Sequence, residues 1–71
     1  MGAQDQYTAV NTLLEEGKTD QAAALARVRK SKEIKGAEFH LRWADLLEEL
    51  GLFDDVVIEL NLAIRDDPKT A

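Results

Sequence analysis

Two glycines, Gly17 and Gly51, stand 34 residues apart, and the sequence around them echoes at the same interval. Ala3 matches Ala37, Leu13 matches Leu47, Glu15 matches Glu49 and Asp20 matches Asp54. A period of this length belongs to a supersecondary unit of helix, turn and helix, which cannot bury its apolar face alone. A glycine in each turn tolerates the left-handed backbone that reverses the chain. The echo therefore predicts two copies of one helical hairpin within 71 residues.

Four segments of helical periodicity lie between Gly17, the stretch from Ser31 to Gly36, Gly51 and Pro68, and none alternates as a strand would. The first, over about residues 4–16, spaces Tyr7, Val10, Leu13 and Leu14 by three and four. The second opens with Thr19 or Asp20 as N-cap and runs through strong helix formers to Lys30. The third, over about 37–50, carries Phe39, Leu41, Trp43, Leu46, Leu47 and Leu50 against a polar face in which Glu38 and Arg42 are spaced for a helical ion pair. The fourth begins near Phe53 with Asp54 as N-cap and ends at Arg65 or Asp66, ahead of Pro68. The expected fold is all-α: two antiparallel helix-turn-helix hairpins stacked as a short α-solenoid. A chain this small buries only about 60% of its unfolded surface, and without cysteine its stability must come from helix packing.

The second half, Ala37 to Pro68, resembles the tetratricopeptide repeat family over nearly its whole length. Trp43-Ala44 and Leu47 stand for the family's large, small and apolar positions. Gly51 is the turn glycine with the aromatic Phe53 two residues later, Leu60 and Ala63 follow in the second helix, and Pro68 closes the unit after Asp66-Asp67. Val56 stands where the family usually has alanine. The first half is a more degenerate copy: it keeps Leu13, Gly17, Asp20 and Ala22, but has Ala9-Val10 for the large-small pair, Arg29 where a small residue is expected and Ile34 in place of the proline. The resemblance implies one domain, 1–71, with a degenerate repeat at 3–36 and a second at 37–70, and a role in binding proteins.

In the family, the first helix of each hairpin lines a concave groove that receives peptides. The equivalent side chains here are Tyr7, Asn11, Leu14, Glu38, Leu41, Arg42, Asp45, Glu48 and Glu49. Some members clamp a peptide carboxylate through Lys and Asn, but Tyr7 occupies the Lys place, and the acidic trio Asp45, Glu48 and Glu49 suits a basic segment better. The last helix is apolar around most of its circumference, and Ile58 and Leu62, four apart, form a stripe available for self-association. Repeat arrays usually need about three units, so the chain reads as a piece of a longer array or as a module that forms homo-oligomers.

Charge offers a second reading. Arg27, Arg29, Lys30, Lys32, Lys35 and Arg42 outnumber Glu33 and Glu38 between positions 27 and 42, whereas the whole chain carries −5. With His40 this segment could contact phosphates, making a nucleic-acid-associated module the alternative function. It has no interleaved aromatics for stacking and no evident recognition helix, so a protein or peptide partner is preferred to nucleic acid.

Enzymatic chemistry finds little to work with. The single His40 and single Ser31 read as isolated, with His40 as a partly buried structural residue. No catalytic residue, metal site or cofactor is expected, since neither a second His or Cys nor a glycine-rich phosphate loop occurs. The longest apolar run falls far short of the roughly 20 residues that cross a bilayer, and the expected compartment is the cytoplasm.

Overall fold

The computed structural model describes residues 3–70. It is all-helical: α1 (Ala3–Glu15), α2 (Thr19–Arg27), α3 (Ala37–Glu49) and α4 (Phe53–Asp66), with short 3-10 turns at Ser31–Glu33 and Pro68–Thr70, and no strand among the described residues. Helices α1 and α2 pack as one hairpin, and α3 and α4 as the other.

The two turns are built alike, bond for bond. Gly17 N–H donates to the Leu14 carbonyl at 3.1 Å and Lys18 N–H to the Leu13 carbonyl at 2.8 Å. Thirty-four residues on, Gly51 donates to Glu48 at 3.0 Å and Leu52 to Leu47 at 3.0 Å. This is a Schellman arrangement, whose left-handed residue suits glycine, here at φ 78° and 76°. A Cβ at either glycine would meet no atom within 4 Å, so the requirement for glycine is conformational, worth about 1–2 kcal/mol.

The same turns displace the expected N-caps. Lys18 and Leu52, in place of Thr19 or Asp20 and Asp54, precede the helices, and neither makes a side-chain capping bond. Their carbonyls accept from Ala22 N–H at 2.9 Å and Val56 N–H at 3.0 Å. Asp20, Asp54 and Asp55 fall in the first turns, where their charge complements the helix dipole.

Helix α2 ends at Arg27, three residues short of the Lys30 expected from sequence. Buried Gln6 on α1 takes up the freed backbone: its Oε1 accepts from Lys30 N–H at 2.9 Å and its Nε2 donates to the Val28 carbonyl at 3.4 Å. The chain then bends so that Arg29 and Ser31 turn inward.

Val10, Ala22, Ala26, Trp43, Leu46, Leu47 and Leu52 form the core, drawn from both hairpins. Trp43 sits at its centre, fully buried, with the Tyr7 ring of α1 edge-on at 5.3 Å and the Arg29 guanidinium 5.8 Å from its centroid. Its indole Nε1 is buried without a hydrogen-bond partner among the described residues, a cost of about 1–3 kcal/mol that the burial of the ring must outweigh.

Candidate functional site

The groove residues inferred from sequence divide into two unlike ends. At one end Tyr7, Phe39 and Arg42, with Gln4 and Thr8, line a cleft of about 270 Å³ between α1 and α3. The Tyr7 and Phe39 rings, 6.5 Å apart, are both half-buried, so the cleft has aromatic walls and a polar rim. Arg42 leans back on α3 to donate to Glu38 at 2.7 Å, realising the ion pair expected from their spacing. At the other end Asp45, Glu48 and Glu49 border a separate depression, all three exposed. Asn11 and Leu14 are half-buried and Leu41 is exposed, outside both hollows.

The polar residues that sequence reading set apart come together inside the protein. Glu59 on α4 is fully buried, and its carboxylate collects three groups. Arg29 Nε donates to Oε2 at 2.8 Å, Ser31 Oγ donates to the same oxygen at 2.6 Å, and His40 Nδ1 lies 2.9 Å from Oε1. Arg29 also donates to Asp55 Oδ1 at 3.1 Å and to the Ala26 carbonyl at 3.0 Å. On its other side His40 Nε2 lies 2.8 Å from the Ile34 carbonyl and 3.2 Å from Asp66 Oδ2. Ser31 and His40 are thus not isolated, and His40 is wholly rather than partly buried. Glu59 and Gln6 escaped the sequence reading. The available signal was Arg29, a long cation at a position where the repeat wants a small residue, which required a buried acid opposite.

Serine, carboxylate and histidine in contact suggest hydrolytic chemistry, but the order is wrong for it. A nucleophile needs its base within hydrogen-bond reach, with the carboxylate behind the base. Here Glu59 stands between Ser31 and His40, and all three are buried. Among the described residues no group of three or more His, Cys, Asp or Glu side chains is placed to hold a metal ion.

Asp66 closes this polar seam at the loop before α3. Arg65 Nε donates to its Oδ1 at 2.6 Å and Gly36 N–H donates to Oδ2 at 2.8 Å. Those two hydrogen bonds, the Arg65 one foremost, hold the Asp66 carboxyl down to about 2, while the carboxylate in turn raises the Arg65 guanidinium. Arg65 continues to the carbonyls of Lys32 at 3.1 Å and Ile34 at 3.0 Å, tying α4 to the inter-hairpin connector. A carboxyl depressed on folding contributes stability that is complete above its unfolded value, near 3.8, and is lost as pH falls through about 2. Melting temperature measured by circular dichroism should therefore fall between about pH 4 and pH 2. Asp66→Asn should be less stable than the wild type at neutral pH, and the difference should shrink across that window.

The basic segment is dispersed by folding. The Arg29 side chain and His40 are buried, and Arg42 pairs with Glu38, leaving Arg27, Lys30, Lys32 and Lys35 exposed and outside any ion pair among the described residues. Ile58 is half exposed and Leu62 half-buried; with Arg27 and Lys32 they line a notch of about 210 Å³ beside Arg29 and Glu59. A longer apolar row runs along another side of α4: Phe53, Val57, Leu60 and Ile64 are 65, 57, 40 and 38% exposed. No helix among the described residues is long and apolar enough to cross a membrane.

Comparison with protein-family models, with curated proteins and with solved structures finds no match to this chain.

Proposed function

We propose that this chain is a tetratricopeptide-like protein-binding module that holds an extended segment of a partner along α1 and α3, and that it acts in the cytoplasm without catalysis. The observation that carries this reading is the aromatic-walled cleft of Tyr7, Phe39 and Arg42, continued along α3 by Asp45 and Glu49, which follow Arg42 at three and seven positions on one helix face. Phe39 and Glu49 are ten positions apart on α3, about 15 Å along a helix rising 1.5 Å per residue. An extended peptide covers that span in about four residues. The fitting partner therefore carries an apolar side chain for the cleft and basic side chains about four residues away for the acidic end. Helices hold both ends in place before binding, so little ordering entropy is lost on docking.

The test is fluorescence anisotropy with short labelled peptides that pair one leucine or phenylalanine with two lysines at varied separation. Affinity should peak when the separation is about four residues. Glu48→Lys/Glu49→Lys, on an exposed face, should weaken the best peptide at least about tenfold, or 1.4 kcal/mol. Peptides that bind equally well at every separation, or that ignore the charge reversal, would dismiss the groove.

A further inference from the structure

The row Phe53, Val57, Leu60 and Ile64 on α4 follows a four-three-four spacing, the spacing of a seam along which one helix packs against another. All four side chains are exposed, and they are four of the seven large apolar side chains exposed among the described residues. Together they leave on the order of 300–400 Å² of apolar surface in one strip, a size at which patches on soluble proteins tend to be functional.

The repeat shows what does not cover this strip in the way the hairpins cover each other. Thirty-four residues earlier, Val57 and Leu60 correspond to Ala23 and Ala26 on α2. Ala26 is fully buried in the core with Trp43, and Ala23 packs against the same core. The junction between the hairpins thus relies on small residues that let backbones approach closely. Valine and leucine at the equivalent places make a ridge, unsuited to a repeat of that junction and suited to interlocking with side chains of another helix.

We infer that the occupant is a second copy of this chain, with α4 packed antiparallel against α4. The seam is its own complement, because a two-fold axis between Val57 and Leu60 sets Val57 against the partner's Leu60 and Phe53 against the partner's Ile64. Polarity along the helix selects the antiparallel sense. A parallel pair would set the two acidic first turns, each with Asp54 and Asp55, side by side, and reversal of one helix separates these like charges. The same reversal opposes the two helix dipoles. A small specific interface takes about 600 Å² from each partner, against 4599 Å² of total surface here. The seam supplies its apolar centre, and the exposed Asp54 and Asn61 lie along one side of it.

Sedimentation velocity on the full chain, from micromolar to near-millimolar concentration, tests this. The expected result is a concentration-dependent doubling of mass that Val57→Glu/Leu60→Glu abolishes while the helical circular dichroism is retained, the dissociation constant rising at least about a hundredfold. Ile58→Glu, on a different face, should leave the dimer intact. Orientation is read by disulfide trapping, since the chain contains no cysteine of its own. A mixture of Asp54→Cys and Asn61→Cys chains should link to each other in preference to their own kind. A wild type that is monomeric throughout, a dimer that survives Val57→Glu/Leu60→Glu, or trapping dominated by like-with-like links would each overturn the proposal. Peptide binding in the α1–α3 groove is read separately by anisotropy, so failure of either proposal leaves the other standing.

Discussion

Glu59→Ala is expected to cost the fold about 3–5 kcal/mol and to lower its urea midpoint sharply. Removing one partner of a buried ionic cluster costs about 3–5 kcal/mol, because the opposite charge stays buried without compensation. The whole chain commands roughly 4–10 kcal/mol at this length. In this protein the loss falls on three groups at once: Arg29 and Ser31 lose their shared acceptor Oε2, and His40 loses Oε1. Arg29 keeps Asp55 and the Ala26 carbonyl, but its side chain is only 5% exposed and water cannot replace Glu59 there. Urea denaturation followed by far-ultraviolet circular dichroism and by the fluorescence of the single Trp43 gives the measurement. A midpoint close to that of the wild type would show the network to be incidental.

A companion variant separates the net contribution of the network from the cost of breaking it. Arg29→Met/Glu59→Leu removes both charges together and should recover much of what Glu59→Ala loses, since replacing a buried ion pair by apolar groups of similar volume is often neutral or stabilising. The recovery should be incomplete, because Ser31, buried beside Glu59, still loses its acceptor. The value of the network then lies in specificity. It joins the inter-hairpin connector, through Arg29 and Ser31, to α3 and α4, through His40 and Glu59, and so sets how one hairpin sits on the other.

Trp43→Ala has the second-largest expected effect, about 3–5 kcal/mol. The ring is fully buried and meets the Tyr7 ring edge-on, so truncation opens a cavity where the two hairpins join. Trp43→Phe should cost less than alanine does: it keeps most of the ring and also removes the indole N–H that has no partner. Thermal melts by circular dichroism, which do not depend on the missing fluorophore, report both variants. A loss below about 1 kcal/mol for alanine would mean that the core can collapse around the deletion, and that Trp43 is not what unites the hairpins.

Much of the fold was legible because its determinants are local. Glycine at 17 and 51 marks a left-handed turn by its own backbone chemistry, and the two turns repeat hydrogen bond for hydrogen bond at the 34-residue interval visible in the letters. The ion pair of Glu38 and Arg42 likewise follows from helical spacing alone. Helix ends were less legible where a distant group decided them. Nothing near Lys30 in sequence announces that Gln6, on another helix, takes its backbone N–H and lets α2 stop at Arg27.

The sequence by itself determined the all-helical class, the two hairpins and the places where the chain reverses, because periodicity and turn geometry act over a few residues. Only the tertiary structure decided which polar residues are exposed and which are interior. Arg29 reads as one more cation in a basic run, and Glu59 as one more acid on a helix; the pairing of one with the other, 30 positions apart, buries both side chains and takes the Arg29 guanidinium off the surface. It likewise decided which apolar row of α4 is left uncovered. Ile58 and Leu62, singled out by spacing, line a small notch, whereas Phe53, Val57, Leu60 and Ile64 form the longer exposed row. Helical spacing shows that residues share a face, and only the packing of that helix against its neighbours shows which face meets solvent.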